Sequence, residues 1–555
     1  MGGGAAGCWL ARRLAESRSG SVALVEAGAA PRDPRAVVPA WYPLAQNSKL
    51  DWAYSTEPQS ELGGRRLAWP RGKCLGGSSS INALITMLPA HGDLQRWGRI
   101  VGGWWLEALP GLAQRFEAAW QAPAGDSLIS PLAELTLEPV KETHAWCVAF
   151  LESATEMGLR DARPWIQSRP NVCGNYWLTA KRGRRQTTAD ALIRSQLSDP
   201  FQSSARPGNV TLFERCEVNR ITVEQGRAVA VEVTSQCGAR KTIHAEEEIV
   251  LTAGAIGSPA LLLASGIGPA QELEHCGLEC YVNSEHVGAN LQDHLTFPIV
   301  LEMSTATGLP YRFGPLSRAR YRESGVGGLA SNLAEVGAML GHIALPGASP
   351  EEAASTPRVQ LHVTPTHYLK YPRLRMPTNC MSIAITPLHP ESRGRLQLRG
   401  STQQRHINID PQYLSRTSDS EDFKTAYGWI CELMAKSALN RLVARQLIPS
   451  ERRSDPAGIV RSVRAMAQSI YHPVGTCRAG SDASSVVDDR FCVRGMAGLR
   501  VADASVLPDL PSGNTCAAAL LMSELTARAM LAETRATKPE VTGYYSTGER
   551  KRHLR

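Results

Sequence analysis

Paired cysteines are what this sequence most clearly lacks. Its 13 cysteines are scattered over 555 residues, and no two of them stand in CxxC spacing. The nearest pair, Cys276 and Cys280, has no further cysteine or histidine at the spacing of zinc ligands. We therefore expect no metal site and no disulfide framework. Thiols that are mostly reduced and buried favour a cytoplasmic protein.

A signal peptide and a membrane-spanning run are also missing. The apolar stretch after the first glycines is interrupted by Arg12 and Arg13. The segment 249–270 carries no charged residue, but its glycines, with Pro259 and Pro269, indicate a buried strand, a turn and a short helix. The sequence thus predicts no transmembrane segment and leaves peripheral association with a membrane open.

Charge of one sign is nowhere concentrated except at the end of the chain. The net charge of +8 is small for this length, and the basic residues are dispersed apart from the run at 550–555. A nucleic-acid partner is not expected, and residues 536–555 are predicted to form a disordered basic tail. The length exceeds what one hydrophobic core usually supports, so two domains are expected.

What the first residues do contain is a glycine pattern typical of dinucleotide binding. Three glycines stand in GxGxxG spacing, a helical stretch follows, and the strand 21–26 ends in an acid; these residues are Gly2, Gly4, Gly7 and Glu26. In such a unit the helix N-terminus faces a pyrophosphate and the carboxylate binds ribose hydroxyls. The motif normally follows a strand, but Met1 directly precedes Gly2. The first strand of a Rossmann unit is therefore expected to be absent.

A second glycine stretch, residues 71–82, reads RGKCLGGSSSIN. Adjacent glycines let the backbone approach a ligand closely, and the hydroxyls and amide that follow offer hydrogen bonds to it. The stretch predicts a loop that holds a cofactor.

The rest of the chain shows short strands and helices without a linker or a repeat. Alternation in 210–213, 217–221 and 229–233 predicts short antiparallel strands. Four tryptophans at helical spacing favour a core position over a substrate entrance: Trp97, Trp104, Trp105 and Trp120. The second domain is expected to be interleaved with the first.

Two motifs stand near the C-terminus. The segment 469–480 contains His472-Pro473, and the segment 499–516 contains Asp503-Ala504 and ends in Gly513-Asn514-Thr515-Cys516. In order, the Gly-Gly-Ser stretch, the segment 257–268 and these two motifs resemble the glucose-methanol-choline (GMC) oxidoreductases, nearest the choline dehydrogenase-like alcohol dehydrogenases. The resemblance runs from Gly2 to about Leu531.

The resemblance implies an α/β plus α+β fold with a Rossmann-like FAD-binding domain interleaved with an antiparallel-sheet substrate domain. Residues 1–90, 205–300 and 456–535 would form the FAD-binding domain, and residues 91–204 and 301–455 the substrate domain. It also implies FAD contacts at 13 positions: Gly2, Gly4, Gly7 and Glu26 for the ADP half, Val218 for the adenine, Gly76, Gly77, Ser78, Asn82 and Ala83 for the flavin, and Asp503, Ala504 and Thr515 for the pyrophosphate and pyrimidine end.

The implied catalytic residues are His472 and Asn514. Oxidising a CH–OH group requires a base for the hydroxyl proton while a hydride leaves carbon for the flavin. A neutral imidazole suits the first task, and an uncharged amide can hold the oxygen. The expected activity is oxidation of an alcohol to the aldehyde.

The sequence departs from the family pattern at three places. Ile81 stands where some members carry a histidine bonded covalently to FAD, so FAD is expected to be non-covalent. Thr86 replaces an aromatic residue, and the run 517–519, all alanine, replaces a proline. Both changes are expected near the flavin.

Several alternatives remain open at this point. The chain could be an N-terminally truncated, inactive flavoprotein fragment, or a hydroxynitrile lyase of the same family. The photodecarboxylases that share the fold lack the His-Pro and Gly-Asn-Thr pair and carry a cysteine where this chain has Leu388. A small-molecule alcohol is the expected partner, with a quinone, a soluble carrier or oxygen as the electron acceptor.

Overall fold

The computed structural model describes residues 1–17, 20–121, 135–163, 167–193, 209–304, 313–341, 349, 354–367, 377–400, 406–450 and 455–537. The predicted disordered tail lies outside these residues, except for positions 536 and 537, which belong to the last helix.

The described α-helices are α1 (Ala5–Ser17), α2 (Tyr42–Ala45), α3 (His91–Val101), α4 (Trp105–Gln121), α5 (Ala145–Glu156), α6 (Gly254–Ala264), α7 (Ala270–His275), α8 (Pro315–Ser324), α9 (Glu421–Met434), α10 (Ser437–Asn440), α11 (Pro456–Met466) and α12 (Thr515–Thr537). The first twelve strands are β1 (Val22–Val25), β2 (Tyr54–Ser55), β3 (Ala68–Trp69), β4 (Leu137–Pro139), β5 (Arg160–Asp161), β6 (Val172–Asn175), β7 (Trp177–Lys181), β8 (Arg184–Arg185), β9 (Val210–Phe213), β10 (Cys216–Glu224), β11 (Arg227–Ser235) and β12 (Arg240–His244). The remaining strands are β13 (Ile249–Leu251), β14 (Ile267–Gly268), β15 (Val282–Asn283), β16 (Leu295–Met303), β17 (Val336–Leu340), β18 (Val359–Thr364), β19 (Cys380–Pro387), β20 (Arg395–Arg399), β21 (His406–Asp410), β22 (Val443–Ile448), β23 (Gln468–Ser469) and β24 (Leu499–Val501).

Two parallel strand pairs lie around the N-terminus. Strand β1 pairs with β9, and β13 pairs with β24. The amino group of Met1 donates to the Val250 carbonyl at 2.7 Å, and the Gly2 N–H donates to the Val25 carbonyl at 2.8 Å. The first two residues thus connect the ends of both pairs. The absence of a first Rossmann strand stays a prediction.

The prediction of an antiparallel strand at 210–213 is wrong. Strand β9 runs parallel to β1, with Val210 opposite Val22. Alternation along one strand reports which face is buried and not which strand will pair with it. The strands predicted at 217–221 and 229–233 are antiparallel, as expected, within the sheet β10-β11-β12.

An eight-stranded sheet forms a second layer, in the order β22-β16-β19-β18-β17-β6-β5, with β23 pairing to β16. Strands β16 to β19 are antiparallel to their neighbours. On β18 the apolar Leu361 and Val363 point into a core shared with α5 and α9, and they alternate with Gln360 and His362. One face of β18 is therefore apolar and the other polar.

Two large cores are built on the two layers. The first contains three of the predicted core tryptophans, Trp97, Trp105 and Trp120, together with Trp9 and Phe491. Trp104 is half-buried against the same core. The tryptophans therefore pack in the interior, as predicted. Helices α3 and α4, which the predicted boundaries assign to the substrate domain, belong to this first core.

One described helix has the length and apolar content of a membrane span. It comprises Thr515–Thr534 of α12, and 67% of its most apolar window is buried inside the fold. Such burial is typical of a core helix. The uncharged segment 249–270 forms β13, α6 and β14, as the glycines and prolines predict.

Candidate active site

Two glycine-containing turns touch at one end of a large cavity. The Gly76 N–H donates to the Gly3 carbonyl at 2.7 Å. A Cβ added to Gly77 would lie 2.7 Å from the Gly4 Cα, and Gly77 has a φ of +53°. Only glycine permits both this approach and this backbone conformation. The contact brings together the two glycine motifs that the sequence analysis singled out.

The GxGxxG turn is also packed against the end of β13. Gly2 has a φ of +94°, and its carbonyl accepts a hydrogen bond from Thr252 Oγ1 at 2.8 Å. A Cβ on Gly7 would lie 2.0 Å from that carbonyl oxygen. Gly7 therefore lets α1 pack onto the turn. Gly7 and Gly76 support the cavity without lining it.

Glu26 follows β1 and turns its carboxylate back toward the glycine turn. Its Oε2 accepts from the Gly3 N–H and its Oε1 from the Gly28 N–H, both at 2.8 Å. Burial raises the pKa of Glu26 to about 7. A carboxylate has about four acceptor positions, so two remain for the hydroxyls of a ribose.

The cavity encloses about 600 Å³, within the usual range for cofactor pockets. Eleven of the 13 predicted FAD residues and both predicted catalytic residues line it: Gly2, Gly4, Glu26, Gly77, Ser78, Asn82, Ala83, Val218, Asp503, Ala504, Thr515, His472 and Asn514.

The residues present fit FAD at three points. Helix α1 begins at Ala5, where its first N–H groups, which have no partner inside the helix, can bind a pyrophosphate. Glu26 has acceptor capacity left for a ribose. The glycine contact at Gly4 and Gly77 leaves a wall without side chains, against which a flat ring system can lie.

Asp503 lines the cavity and is held by three hydrogen bonds. Its Oδ2 accepts from the Gly254 N–H and from Ser258 Oγ, and its Oδ1 accepts from the Ser505 N–H. The first two hydrogen bonds hold the loop before α12 against the start of α6, and the third lies within the loop. The carboxylate therefore organises the wall of the cavity, and Ala504 beside it also lines the interior.

The orientation of Asn82 is set by a buried cation. Arg185 donates to Asn82 Oδ1 at 2.7 Å and to the Asn82 carbonyl at 2.6 Å. It also donates to the Ser79 carbonyl at 3.0 Å. Because Asn82 Oδ1 is occupied in this way, its amide nitrogen remains to donate into the cavity.

The three departures from the family pattern lie at different depths. Ile81 lines the cavity, and so does Ala519 in the first turns of α12. Thr86 is buried outside the lining, where its hydroxyl has no hydrogen-bond partner.

His472 and Asn514 meet at the other end of the cavity. His472 Nε2 lies 3.2 Å from Asn514 Nδ2, although 42 residues separate them in the chain. His472 is 7% exposed, and Asn514 is half-buried directly before α12.

The loop that carries His472 is fixed by three hydrogen bonds. Tyr471, directly before it, has a φ of +68°, which is unfavourable for residues other than glycine. The Tyr471 carbonyl accepts from Arg71 at 2.5 Å, and its N–H donates to Ser469 Oγ at 2.8 Å. The His472 N–H donates to Asp293 Oδ1 at 2.6 Å. These contacts compensate for the backbone strain.

Asp293 is the centre of a buried polar cluster under this loop. Its Oδ2 accepts from Ser469 Oγ at 2.5 Å and from the Tyr413 hydroxyl. Burial raises the pKa of Asp293 to about 6.

A second histidine, His294, determines which nitrogen of His472 carries a proton. His294 Nε2 lies 3.0 Å from the Leu388 carbonyl, and its Nδ1 lies 2.9 Å from His472 Nδ1. A carbonyl can only accept, so His294 Nε2 carries the hydrogen. In a neutral ring its Nδ1 must then accept, and His472 Nδ1 must donate. His472 Nε2 is left unprotonated at the cavity wall.

Burial keeps both rings neutral. It lowers the pKa of His294 to about 4. It also lowers the pKa of His472 well below its ordinary value, with smaller contributions from His294, His362 and Arg71.

Two side chains of β18 complete this end of the site. Gln360 Nε2 lies 3.4 Å from Asn514 Oδ1 and donates to the Tyr176 hydroxyl at 3.1 Å. His362 lines the cavity and stacks on Tyr176, with ring centroids 5.4 Å apart. Burial lowers the pKa of His362 to about 3, so it is neutral.

Sequence reasoning missed His294, Asp293, Gln360, His362 and Arg71. Asp293-His294 directly precedes β16. A polar pair at the start of a buried strand is the signal that could have identified these two residues. Gln360 and His362 are polar residues alternating with apolar ones in a strand, which indicates a polar face.

Comparisons with known proteins agree with this geometry. Residues 1–296 match the N-terminal model of the GMC oxidoreductases, and residues 390–523 match the C-terminal one. The chain is similar to an alcohol dehydrogenase [acceptor] of Pseudomonas putida, with 32% identity covering 94% of this chain and 93% of the relative. It is also similar to the mitochondrial choline dehydrogenase of Homo sapiens, with 32% identity covering 95% and 88%.

Among solved structures, the chain resembles pyridoxine 4-oxidase from Mesorbium loti. The TM-score is 0.80 at 28% identity, covering 96% of this chain and 98% of the other. The comparisons give no support to an inactive fragment or a hydroxynitrile lyase. The chain belongs to the GMC oxidoreductase family, and the predicted activity of a flavin-dependent oxidoreductase acting on alcohols is confirmed.

Proposed function

We propose that this protein oxidises a primary alcohol to the aldehyde with His472 as the base, and that it binds FAD non-covalently in the cavity. The observation that carries the proposal is the unprotonated Nε2 of His472, which lies at the cavity wall beside the Asn514 amide. Ile81, at the position of the covalent histidine in some family members, has no nucleophilic atom.

Thirteen residues would hold FAD, as the resemblance implies. The start of α1 and Glu26 would bind the ADP half, Val218 the adenine, and Gly77, Ser78, Asn82 and Ala83 the flavin. Gly2 and Gly4 would let the pyrophosphate approach, with Ala504, Thr515 and the backbone at Asp503 beside it. Gly7 and Gly76 would act by supporting the turns. The bound flavin supplies the acceptor for the hydride.

The chain's own residues would handle the proton. A substrate hydroxyl can donate to His472 Nε2 from the position beside Asn514 Nδ2. When Nε2 accepts the proton, His472 becomes a cation whose Nδ1–H still donates to His294 Nδ1. That bond becomes charge-assisted and so stabilises the imidazolium. Asn514 Nδ2, released from Nε2, can donate to the substrate oxygen as negative charge develops on it.

The arrangement of domains and the cellular location are part of the same proposal. A Rossmann-like domain would be built around β1, β9, β13 and β24, interleaved with a substrate domain built around the eight-stranded sheet. Helices α3 and α4 belong to the first core, which supports extending the Rossmann-like domain across 91–121. All 13 cysteines carry free thiols, which supports a cytoplasmic location, and a quinone, a soluble carrier or oxygen can serve as acceptor.

The test is the variant His472→Ala, purified as the holoenzyme. We expect turnover with alcohols to fall by about 10²- to 10⁴-fold, because a positioned base contributes that much. The ratio of flavin to protein absorbance should be unchanged. His286→Ala is the matched control, because His286 is exposed and outside the cavity. Equal turnover in His472→Ala and the control would refute the assignment.

A further inference from the structure

The cavity wall around His472 and Asn514 carries no negative charge among the described residues. On β18, Gln360 and His362 face the cavity side, and His362 is neutral. Ala384 of β19 stands opposite His362 in the sheet and lines the cavity, as does Ala334 just before β17. Uncharged polar groups and small apolar side chains thus surround the position of the reacting alcohol.

The carboxylates that do line the cavity are engaged elsewhere. Glu26 is held by two backbone N–H groups beside the first glycine turn. Glu217 pairs with Lys73, at 3.3 Å. Asp503 is bonded to the start of α6 and to Ser505. Asp293, the carboxylate nearest to His472 in the network, is outside the lining and accepts from the loop below the base.

Among the charged side chains that line the cavity, the one linked to the loop of the base is a cation. Arg71 lines the cavity and donates to the carbonyl of Tyr471, the residue before His472. Burial lowers the pKa of Arg71, but an arginine remains charged at neutral pH. A second positive charge in this part of the cavity would be repelled.

Two of the aromatic side chains that line the cavity, Trp52 and Tyr54, are already engaged with protein groups. Trp52 and Tyr54 stack on each other, with ring centroids 6.0 Å apart. Lys73 Nζ already lies 3.9 Å from the centroid of the Trp52 ring. The cation–π capacity of this pair is therefore used by the protein itself.

Building on the proposed function, we infer that the substrate is an uncharged alcohol with an apolar body, and that the site discriminates against quaternary-ammonium alcohols. A trimethylammonium group would leave water without gaining a carboxylate and would approach Arg71. An apolar group of the same shape would be buried against Ala334 and Ala384 at no such cost. The specificity thus departs from that named for the choline dehydrogenase relatives.

The test compares choline with its carbon isostere, 3,3-dimethyl-1-butanol, on the holoenzyme with an artificial dye acceptor. The two alcohols have the same shape and differ by one charge. We expect kcat/KM to favour the neutral alcohol by roughly 100-fold or more, since an unpaired buried charge is strongly unfavourable. Equal values, or a preference for choline, would overturn the inference.

A binding measurement separates this inference from the proposed function. Absence of turnover with every alcohol would contradict the proposed function. Calorimetric affinities of the holoenzyme for the same two alcohols would then decide the charge preference. Tighter binding of the neutral alcohol supports the inference, and equal or undetectable affinity for both overturns it.

A designed carboxylate provides an independent check. Ala384→Glu places a negative charge on the cavity wall, and Ala384→Gln is the uncharged control of the same size. We expect the ratio of kcat/KM values to shift toward choline by about tenfold or more in Ala384→Glu relative to Ala384→Gln. Flavin content shows that both variants are folded, and a ratio that is the same in both would count against the inference.

Discussion

The two ends of the cavity are built from different parts of the polypeptide. The end near Gly4 and Gly77 is made of backbone, held by the close approach of two glycine turns. The end near His472 is made of side chains from the segment before β16, from β18 and from the loops before α12, linked through His294 and Gln360. The first end depends on the absence of side chains at the two glycines. The second end depends on which imidazole nitrogens carry hydrogens.

The largest expected effect is at the backbone end. Gly77→Ala would bring a methyl group to 2.7 Å from the Gly4 Cα at a positive φ, so we expect loss of most bound flavin. The flavin-to-protein absorbance ratio of the purified protein measures it. Gly111→Ala is the control, because a Cβ there meets nothing within 4 Å. A Gly77→Ala protein with full flavin content would contradict the described contact.

At the side-chain end, His294→Leu tests the hydrogen-bond relay. Without an acceptor opposite His472 Nδ1, the base is free to take the other tautomer, and we expect kcat to fall by about 100-fold with flavin content unchanged. His294→Asn, which keeps an acceptor near the position of Nδ1, should restore the rate to within about tenfold of the wild type. If the two variants are equally slow, His294 has only a packing role.

The pH dependence of kcat/KM distinguishes Asp293 from the base. The pKa of His472 is far below its ordinary value, so the base stays unprotonated as the pH falls through 6.5. Asp293, with a pKa raised to about 6 by burial, is charged above that pH and gains a proton below it. Protonation weakens its hold on the His472 loop, so we expect activity to decline below about pH 6.

The variant Asp293→Asn checks this assignment. It should be slower at neutral pH, because the amide cannot accept from all three donors, and its rate should not change near pH 6. A decline near pH 6 that persists in the variant would assign the titration to another group.

The smallest effect is expected at the rim of the backbone end. Lys73 is partly exposed, pairs with the exposed Glu217 and lies over Trp52. Lys73→Met should lower the free energy of unfolding by only about 0.2–1 kcal/mol, as is usual for exposed pairs. Thermal unfolding of the holoenzyme measures it. A loss of flavin in this variant would show that the rim holds the cofactor.

The two ends also differ in how far the sequence predicts them. The GxGxxG turn, α1 and Glu26 are close in the chain, so their spacing alone predicts their arrangement. The contact between Gly4 and Gly77 spans 73 positions, and the family resemblance implied only that both residues bind the same cofactor. His294 is 178 residues from His472, and no local pattern reports which imidazole nitrogen faces another ring.

The error at 210–213 has the same origin. The residues of β9 correctly indicate a strand, but the partner β1 lies almost 190 residues earlier, and pairing depends on the tertiary fold. For Asp503 the motif implied the position of the residue but not its hydrogen bonds. Its position beside the cavity followed from the motif, while its bonds to Gly254 and Ser258 could not be read from the motif alone.

The buried cluster around Asp293 bears on any attempt to redirect this enzyme to new alcohols. Tyr413, Ser469 and the His472 N–H all donate to the Asp293 carboxylate. Mutating Tyr413 or Ser469 would therefore disturb the position of His472 rather than change the fit of the substrate alone. Ala334 and Ala384 stand apart from that cluster and face the interior. Mutant libraries confined to those two alanines would therefore explore selectivity while leaving the proton-accepting machinery intact.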